Sequence, residues 1–294
     1  MVEICDYEGS RYRTEFWEGQ GREYEDRAER IALRKLLPPH GRRLIEIGAG
    51  YGRLADLYQG YDEVLLLDYA LSQLQQARGR LGNDRFHYIA ADLYHIPLVD
   101  CCLDTAVMVR VMHHVQDPPA ALSEIARTLT PQGIFILEYA NKRNLKAILR
   151  YLFRRQKWNP FSLQPVEFVR LNFDFHPAYM EAQLQEAGFD LEEELTVSTF
   201  RLPLLKRLVP ASLLAHLDGL LQRPTAGLKL APSLFLQARA EKTGPAASVE
   251  ALFRCPTCRA SPLETTAAAL ICVGCGRRWA IQDGIYNFKE PITA

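Results

Sequence analysis

The sequence lacks a net charge, a long apolar run and an apolar leader. Lys and Arg together number 35, as do Asp and Glu, so any attraction to nucleic acid or to an anionic membrane must be local. No run of about 18 apolar residues occurs, so we expect no membrane span. The N-terminus is charged throughout, so we expect no secretory signal and a cytoplasmic location.

The remaining composition is that of a globular protein. Hydrophobic residues make up 48% and charged residues 24%, which argues against wholesale disorder, collagen-like repeats and a disulfide-rich scaffold. A length of 294 residues predicts about two domains. We expect the larger domain to span 1–241, a linker 242–250 and a small module 251–294, because the polar segment KTGPAAS precedes a cysteine-rich terminus.

Short apolar runs alternate with helical stretches through the larger domain. This alternation predicts an α/β fold with a mostly parallel sheet and helices on both faces. The predicted strands are Arg43–Ile47, Glu63–Asp68, Phe86–Ala90, Leu103–Val109, Ile134–Glu138, Leu191–Phe200 and Ser233–Ala238. The predicted helices are 11–37, Ala70–Arg80, Pro119–Leu129 and Pro177–Ala187. Insertions 141–176 and 201–231 follow carboxyl ends of strands, so we expect both to roof a ligand site as lids.

A glycine-rich turn and three acidic residues indicate a nucleotide-like ligand. The first strand leads into Glu46-Ile47-Gly48-Ala49-Gly50-Tyr51-Gly52, and the next two strands lead into Asp68 and Asp92. Dinucleotide enzymes favour Gly-x-Gly-x-x-Gly, whereas the spacing here is Gly-x-Gly-x-Gly. Glu46 repels phosphates but suits a ligand with an ammonium or sulfonium group. A nicotinamide enzyme and a fold that binds nothing remain the less favoured alternatives.

Five segments resemble the motifs of class I S-adenosylmethionine-dependent methyltransferases, most closely the ubiquinone/menaquinone-biosynthesis type. In order they are IEIGAGYGR, LLLDYA, AADLYHIPL, VMVRVMHHV and RTLTPQGIFILEY. The resemblance is dense over residues 40–140 and implies a Rossmann-like, seven-stranded sheet whose last strand is antiparallel. One departure is Gln132, which stands where the family has the first glycine of Pro-Gly-Gly.

The resemblance also implies a set of cofactor-binding residues. Asp68 would bind the ribose, Asp92 with Leu93 would border the adenine, and Tyr69 would lie against the adenine ring. The glycine loop would pass beside the methionine part of the cofactor. The complete expected set is Glu46, Gly48, Ala49, Gly50, Gly52, Asp68, Tyr69, Asp92, Leu93 and Arg110.

The loop after the fourth strand supplies candidate catalytic residues. It should face the transferable methyl group, and His113 or His114 could act as a base because imidazole titrates near neutral pH. Either ring could instead pack and bond to backbone. Asp117-Pro118-Pro119-Ala120 resembles the Asp-Pro-Pro-Tyr of base-amine methyltransferases, but it lies too far along and lacks the aromatic residue. We interpret it as a helix start.

A basic amphipathic segment lies in the first insertion. Its apolar residues share one helical face, at Leu145, Ile148, Leu149, Leu152 and Phe153. Seven basic residues and no acidic residue occur over 142–157. Such a helix can contact a membrane surface peripherally or grip phosphates, including those of RNA. The favoured interpretation is a lid helix that packs its apolar face on the domain.

Four of the seven cysteines form two Cys-x-x-Cys pairs, Cys255/Cys258 and Cys272/Cys275. Four thiolates fill a tetrahedral zinc site, so we expect structural zinc. The segment also resembles the small zinc-binding activator subunit of tRNA, rRNA and release-factor methyltransferases, including the late Asp283-Gly284-Ile285. That subunit pairs its strand edge with its partner's. The resemblance implies a zinc ribbon, fused in cis, that stabilises the domain or recruits substrate.

The leading functional hypothesis is a cytosolic methyltransferase that uses S-adenosylmethionine and modifies an O or C atom of a partly hydrophobic small molecule. The apolar insertions and the motif type favour this acceptor. Two alternatives remain. One is an RNA or protein methyltransferase whose ribbon or basic helix holds the substrate. The other is a non-catalytic partner protein that binds the cofactor.

Overall fold

The computed structural model describes residues 2–82, 84–248 and 250–292. The predicted domain and linker ranges also include five residues that lie outside the described part, namely Met1, Asn83, Val249, Thr293 and Ala294. No helix within the described ranges combines the length and the apolar character that crossing a bilayer requires.

Seven strands of the larger domain form one twisted sheet. They are β1 (Gly41–Ile47), β2 (Tyr61–Asp68), β3 (Phe86–Ala90), β4 (Leu103–Met108), β5 (Leu129–Ala140), β8 (Phe189–Val197) and β9 (Ser233–Ala240). Between β5 and β8, a separate hairpin consists of β6 (Val166–Val169) and β7 (Asn172–Asp174). The sheet order is β3-β2-β1-β4-β5-β9-β8, and β9 runs antiparallel to both neighbours. The predicted order of elements and the antiparallel last strand are therefore present.

Helices cover both faces of this sheet. They are α1 (Glu23–Leu36), α2 (Leu71–Leu81), α3 (Pro118–Thr128), α4 (Leu145–Leu152), α5 (Pro177–Glu186), α6 (Pro203–Leu208) and α7 (Ala211–Leu221). Residues of α1, α2 and α7 pack on the face that buries Leu44 of β1, whereas α3 and α5 pack on the face that buries Ile45. Asp117 caps α3 by accepting a hydrogen bond from Ala120 N–H at 3.1 Å, as its sequence indicates.

The predicted helix over 11–37 is interrupted. A short π-helical turn covers Arg13–Trp17, and Gly19 and Gly21 follow with φ of +73° and +65° before α1 begins at Glu23. These left-handed angles end the first helical segment, and glycine adopts them at little cost. The N-terminal segment therefore forms a unit separate from α1.

The C-terminal module continues the central sheet. Its strands are β10 (Glu264–Thr265), β11 (Ala269–Ile271), β12 (Arg278–Gln282) and β13 (Ile285–Asn287). β13 runs parallel to β3, with Ile285 beside Tyr88 and Asn287 beside Ala90. The expected seven-stranded sheet thus has eleven strands, because the module adds its four at the β3 edge. The linker contacts the larger domain, since Ala247 N–H donates a hydrogen bond of 2.8 Å to the Cys101 carbonyl.

The two insertions differ in how they pack. α7 buries Leu214 and Ala215 against α1. By contrast, α4 buries only Ala147, while Leu145, Leu149 and Leu152 are 50%, 43% and 65% exposed. The expected packing of the α4 apolar face on the domain is therefore wrong.

Candidate active site

The carboxyl ends of β1, β2 and β4 surround a cavity that opens to solvent. Nine of the ten expected cofactor-binding residues line it, as do the aromatic rings of an N-terminal segment. The nine are Glu46, Gly48, Ala49, Gly50, Asp68, Tyr69, Asp92, Leu93 and Arg110.

The glycine loop is shaped by close packing. Gly48 has a φ of +69°, and a Cβ there would lie 2.1 Å from Cγ2 of Val111, so a side chain would be both strained and blocked. At Gly52, a Cβ would lie 2.8 Å from Cδ1 of Leu81. Gly52 is absent from the described lining of the cavity. Its side-chain-free position instead lets the loop pack on α2.

Glu46 places a buried carboxyl at the cavity. The side chain is 4% exposed, and the buried hydroxyl of Tyr58 is a neighbouring donor that lowers the pKa of Glu46, although neither Oε2 nor that hydroxyl makes a hydrogen bond of normal geometry with any described residue. Burial raises the pKa of Glu46 to about 8, and the charge of Arg53 opposes this shift. A cationic group of a ligand on the cavity side of this carboxyl would favour its ionised form.

Asp68 organises the loop at the end of β2. Its Oδ2 accepts a hydrogen bond from Gly50 N–H at 2.7 Å, and its Oδ1 accepts one from Ala70 N–H at 2.8 Å. Burial raises the pKa of Asp68 to about 6, although both backbone donors lower it. Each oxygen retains a lone pair for a further donor, as two ribose hydroxyls would require.

Asp92 and Tyr69 lie on the side of the cavity nearest the C-terminal module. Asp92 Oδ1 accepts from Tyr94 N–H at 2.9 Å, and Oδ2 lies 2.8 Å from Nδ1 of His95. The ammonium of Lys289, two residues after β13, lies 4.1 Å from the centre of the Tyr69 ring. The module therefore reaches a residue that lines the cavity.

A network of ion pairs, which the sequence did not indicate, holds two arginines that line the cavity. Glu29 of α1 is 1% exposed and accepts hydrogen bonds from Arg53 Nη2 and Arg110 Nε, both at 2.8 Å. Arg110 N–H donates to Glu138 Oε2 at 2.8 Å, and the Ser233 hydroxyl donates to the other oxygen. No motif signals Glu29, whose only cue is a place on the buried face of a helix.

The N-terminal segment forms the cover that the sequence analysis assigned to the insertions. Its lining residues are Glu3, Ile4, Cys5, Tyr7, Tyr12 and Trp17. Neither insertion contributes to the lining within the described part of the chain. The guanidinium of Arg53 lies 3.9 Å from the Trp17 ring centre, so cation–π contact fixes this cover over the loop. The N-terminal sequence is charged and has no apolar periodicity, so it did not indicate that this segment covers the cavity.

The two candidate histidines have different surroundings. His114 lines the cavity; its Nδ1 lies 2.7 Å from the Leu171 carbonyl and its Nε2 lies 3.0 Å from the Tyr7 hydroxyl. Because a carbonyl only accepts, Nδ1 carries the proton and Nε2 accepts from Tyr7. Burial lowers the pKa of both rings, and the charge of Arg110 lowers that of His113 further. His113 is not among the described lining residues.

The four module cysteines converge. Their sulfurs lie within 4.8 Å of one another, with Cys255 to Cys275 at 3.7 Å and Cys258 to Cys272 at 3.4 Å. Zinc–sulfur bonds of about 2.3 Å in a tetrahedron separate sulfurs by about 3.8 Å. This donor set therefore fits a closed, structural metal site.

Comparison with known proteins identifies the kind of domain. Residues 45–137 match a family model described as a methyltransferase domain. Over 161 residues the chain is 31% identical to demethylmenaquinone methyltransferase of Clavibacter sepedonicus, covering 53% of this chain and 56% of that protein. The chain spans about half the length of the curated relatives it matches.

Solved structures agree at the level of fold. One chain of the complex between the Haloferax volcanii Trm112 methyltransferase activator and a methyltransferase aligns with a TM-score of 0.53 and 19% identity, covering 76% of this chain and 95% of that one. An S-adenosylmethionine-dependent methyltransferase from Mesorhizobium loti aligns with a TM-score of 0.50 and 20% identity, covering 72% and 97%.

Proposed function

We propose that this chain, whose residues 45–137 match a methyltransferase domain, transfers a methyl group from S-adenosylmethionine to an acceptor. The acceptor is an O or C atom of a partly hydrophobic small molecule. The observation that carries the proposal is the buried carboxyl of Glu46 in a cavity that Asp68 and Asp92 also line.

The chemistry of these acids fits the cofactor better than it fits a dinucleotide. A pyrophosphate beside Glu46 would bring negative charge against a buried carboxyl, whereas an ammonium group would satisfy it. Asp68 has lone pairs for ribose hydroxyls, and Tyr69 offers an aromatic face at the same rim. S-adenosylmethionine supplies the methyl group from its sulfonium. The protein supplies alignment, which provides much of the acceleration in such transfers.

His114 is the better candidate base of the two histidines. Its Nε2 faces Tyr7 at the cavity, and the Leu171 carbonyl holds the proton on Nδ1. An acceptor hydroxyl that displaces the Tyr7 hydroxyl would meet an unprotonated nitrogen. This role applies only to an acceptor that must lose a proton.

Two observations favour a small-molecule acceptor. The 31%-identical relative is named for a menaquinone precursor, a lipophilic small molecule. Asp117 caps α3 instead of standing at the end of β4, so the chain lacks the Asp-Pro-Pro-Tyr arrangement used on base amines. An RNA or protein acceptor and a non-catalytic cofactor-binding role are the alternatives.

Transfer of labelled methyl groups tests the proposal. The purified protein is incubated with methyl-labelled S-adenosylmethionine and an extract of its source cells, and label is counted in solvent-soluble, RNA and protein fractions. Label in the solvent fraction that is lost in Asp68→Ala supports the small-molecule acceptor. Label in the RNA or protein fraction would contradict the small-molecule acceptor and favour an RNA or protein acceptor. Cofactor binding with no label in any fraction favours the non-catalytic role.

The C-terminal module is proposed to be a structural zinc ribbon that acts in cis. Its four sulfurs fit zinc, and β13 extends the sheet beside β3. A solved neighbour of this domain is described in complex with a separate methyltransferase activator, which is consistent with a supporting role for a fused module. Elemental analysis should find one zinc per wild-type chain and none in Cys255→Ser/Cys272→Ser. Equal metal content in both would contradict the site.

A further inference from the structure

The helix α4 presents an apolar face to solvent. Leu145, Leu149, Leu152 and Phe153 are 50%, 43%, 65% and 71% exposed, although helices of folded domains usually bury such a face. Beside them stand exposed cations of the same helix and the turn after it. We call this set the apolar–basic surface, and it comprises Leu145, Lys146, Leu149, Arg150, Leu152, Phe153, Arg154 and Arg155.

Neighbouring segments extend the same surface. Leu145 N–H donates to the Leu230 carbonyl at 2.9 Å, which brings the turn containing exposed Leu228 against the start of α4. The ring centres of Tyr151 and exposed Phe161 lie 6.5 Å apart. Both contacts place further solvent-exposed apolar side chains next to α4. The patch therefore spans three segments instead of one isolated helix, and exposed apolar patches of this kind mark interaction sites.

The charge of this region determines what can cover it. Residues 142–157 hold seven cations and no acidic residue, whereas the whole chain is neutral. None of the cations of the apolar–basic surface makes an ion pair within the described residues. A second copy of this chain docked through the same surface would oppose cation to cation. An anionic occupant with an apolar interior is complementary to both components.

We propose that the apolar–basic surface binds the surface of a bilayer that contains anionic lipid. The leucines and Phe153 enter the boundary between headgroups and acyl chains, while Arg150, Arg154 and Arg155 meet lipid phosphates. RNA would satisfy the cations but would leave Leu145, Leu149 and Leu152 in water. This inference stands apart from the proposed function, because it concerns where the protein lies and not what it transfers.

Co-sedimentation of the full chain with vesicles tests the inference. Wild-type protein should pellet with vesicles of phosphatidylcholine mixed with phosphatidylglycerol, pellet far less with phosphatidylcholine alone, and release as salt is raised. Leu149→Ser/Phe153→Ser and Arg150→Glu/Arg155→Glu should each lower the vesicle partition coefficient by about tenfold or more. All four side chains are exposed, so we expect unchanged thermal unfolding.

A matched pair of controls separates site from net charge. Arg27→Glu/Arg34→Glu makes the same charge change at exposed positions of α1 and should retain vesicle binding. Equal loss in that variant, or no wild-type binding to anionic vesicles, would overturn the inference. A third result would also overturn the inference. In it, the wild type binds single-stranded RNA in a salt-sensitive way and does not bind vesicles, while Arg150→Glu/Arg155→Glu loses RNA binding and Leu149→Ser/Phe153→Ser keeps it.

Discussion

The buried carboxyl of Glu46 lowers the stability of the folded protein when it is ionised. Its pKa of about 8 exceeds that of an exposed carboxyl, so the folded state holds a proton that the unfolded state releases. The sign follows: this residue lowers stability as pH rises from the unfolded pKa near 4.5 towards 8, and its effect is constant above that. A ligand that places a cation beside the Glu46 carboxyl would favour the ionised form over the protonated form.

Glu46→Gln should therefore stabilise the protein without ligand and weaken S-adenosylmethionine binding. We expect on the order of 2 kcal/mol more stability at pH 8 and little change at pH 5, because only the ionised side chain is penalised. Denaturant unfolding at both pH values and calorimetric titration measure the two effects. A variant that is less stable at pH 8 than the wild type would show that Glu46 is already satisfied.

Asp68 should give cofactor binding a pH dependence. Its pKa of about 6 in the free protein means that acidification neutralises the carboxylate that accepts the ribose hydroxyls. Protonation of Asp68 should raise the dissociation constant of S-adenosylmethionine by a further factor of about ten per pH unit below 6, in addition to the rise that protonation of Glu46 causes below pH 8. Asp68→Asn should bind weakly with a flatter profile. An acid limb that is unchanged in this variant would assign the titration to another group.

Some residues of the candidate site can be predicted from sequence motifs, whereas others are recognised only from their tertiary contacts. Glu46, Asp68 and Asp92 follow successive strands, and parallel strands bring their carboxyl ends together, so the pattern alone predicts one site. Glu29 reaches that site from a helix 17 positions earlier than Glu46, through two arginines. Only its place on the buried face of α1 distinguishes it from the exposed Glu23.

At the scale of elements, α1 holds the glycine loop to the strand β4 through Glu29. Burial alone would raise the pKa of Glu29, but Arg110 and Arg53 hold it below the usual range. The stability that this depressed pKa contributes is present above the unfolded pKa and is lost as pH falls through the folded pKa. This carboxylate offsets the burial of Arg110, and it shares that role at Arg53 with Asp26, which also pairs with the Arg53 guanidinium.

Glu29→Gln should destabilise the chain by about 3–5 kcal/mol at pH 7, because it leaves two buried cations without their shared anion. The exposed Glu23→Gln on the same helix should change stability by less than about 0.5 kcal/mol. Urea unfolding of both variants measures the difference. Equal stabilities would mean that solvent or Asp26 compensates the arginines.

Element types followed the sequence more closely than element contacts did. Alternating apolar runs predicted the strands and their order, because burial on both faces of a parallel sheet leaves a clear pattern. The helical spacing of apolar residues in 145–153 correctly predicted an amphipathic helix. The expectation that its apolar face packs on the domain was wrong, because that face is exposed to solvent. Amphipathicity specifies a face, and only the tertiary structure shows whether that face meets protein.

At the scale of the whole molecule, the C-terminal module and the cavity form one connected structure. Phe288 N–H donates to the Ala90 carbonyl at 2.7 Å, and Lys289 faces Tyr69. The polar segment KTGPAAS predicted a boundary between the domain and the module, while the resemblance to the activator subunit implied that the module pairs its strand edge with its partner. The pairing of β13 with β3 depends on long-range register, which composition does not encode.

Metal removal should therefore affect the larger domain. Chelation or Cys255→Ser should lower the midpoint of thermal unfolding of the whole chain by several degrees and weaken S-adenosylmethionine binding several-fold, because Tyr69 loses Lys289. Cys101→Ser, which changes a cysteine outside the cluster, should retain both properties and its zinc. Unchanged cofactor affinity after complete zinc loss would show that the module and the cavity are energetically independent.

The eleven-strand order also decides which backbone groups are left unpaired at the margins of the sheet. Without the module, β3 would be an edge strand of five residues, but β13 pairs with its last three residues, and the outermost strand is now the two-residue β10. At the opposite margin, β8 carries Glu192, Glu193 and Glu194. A very short strand and a charged one both discourage the addition of foreign strands. The appended module thus protects the protein against edge-to-edge aggregation.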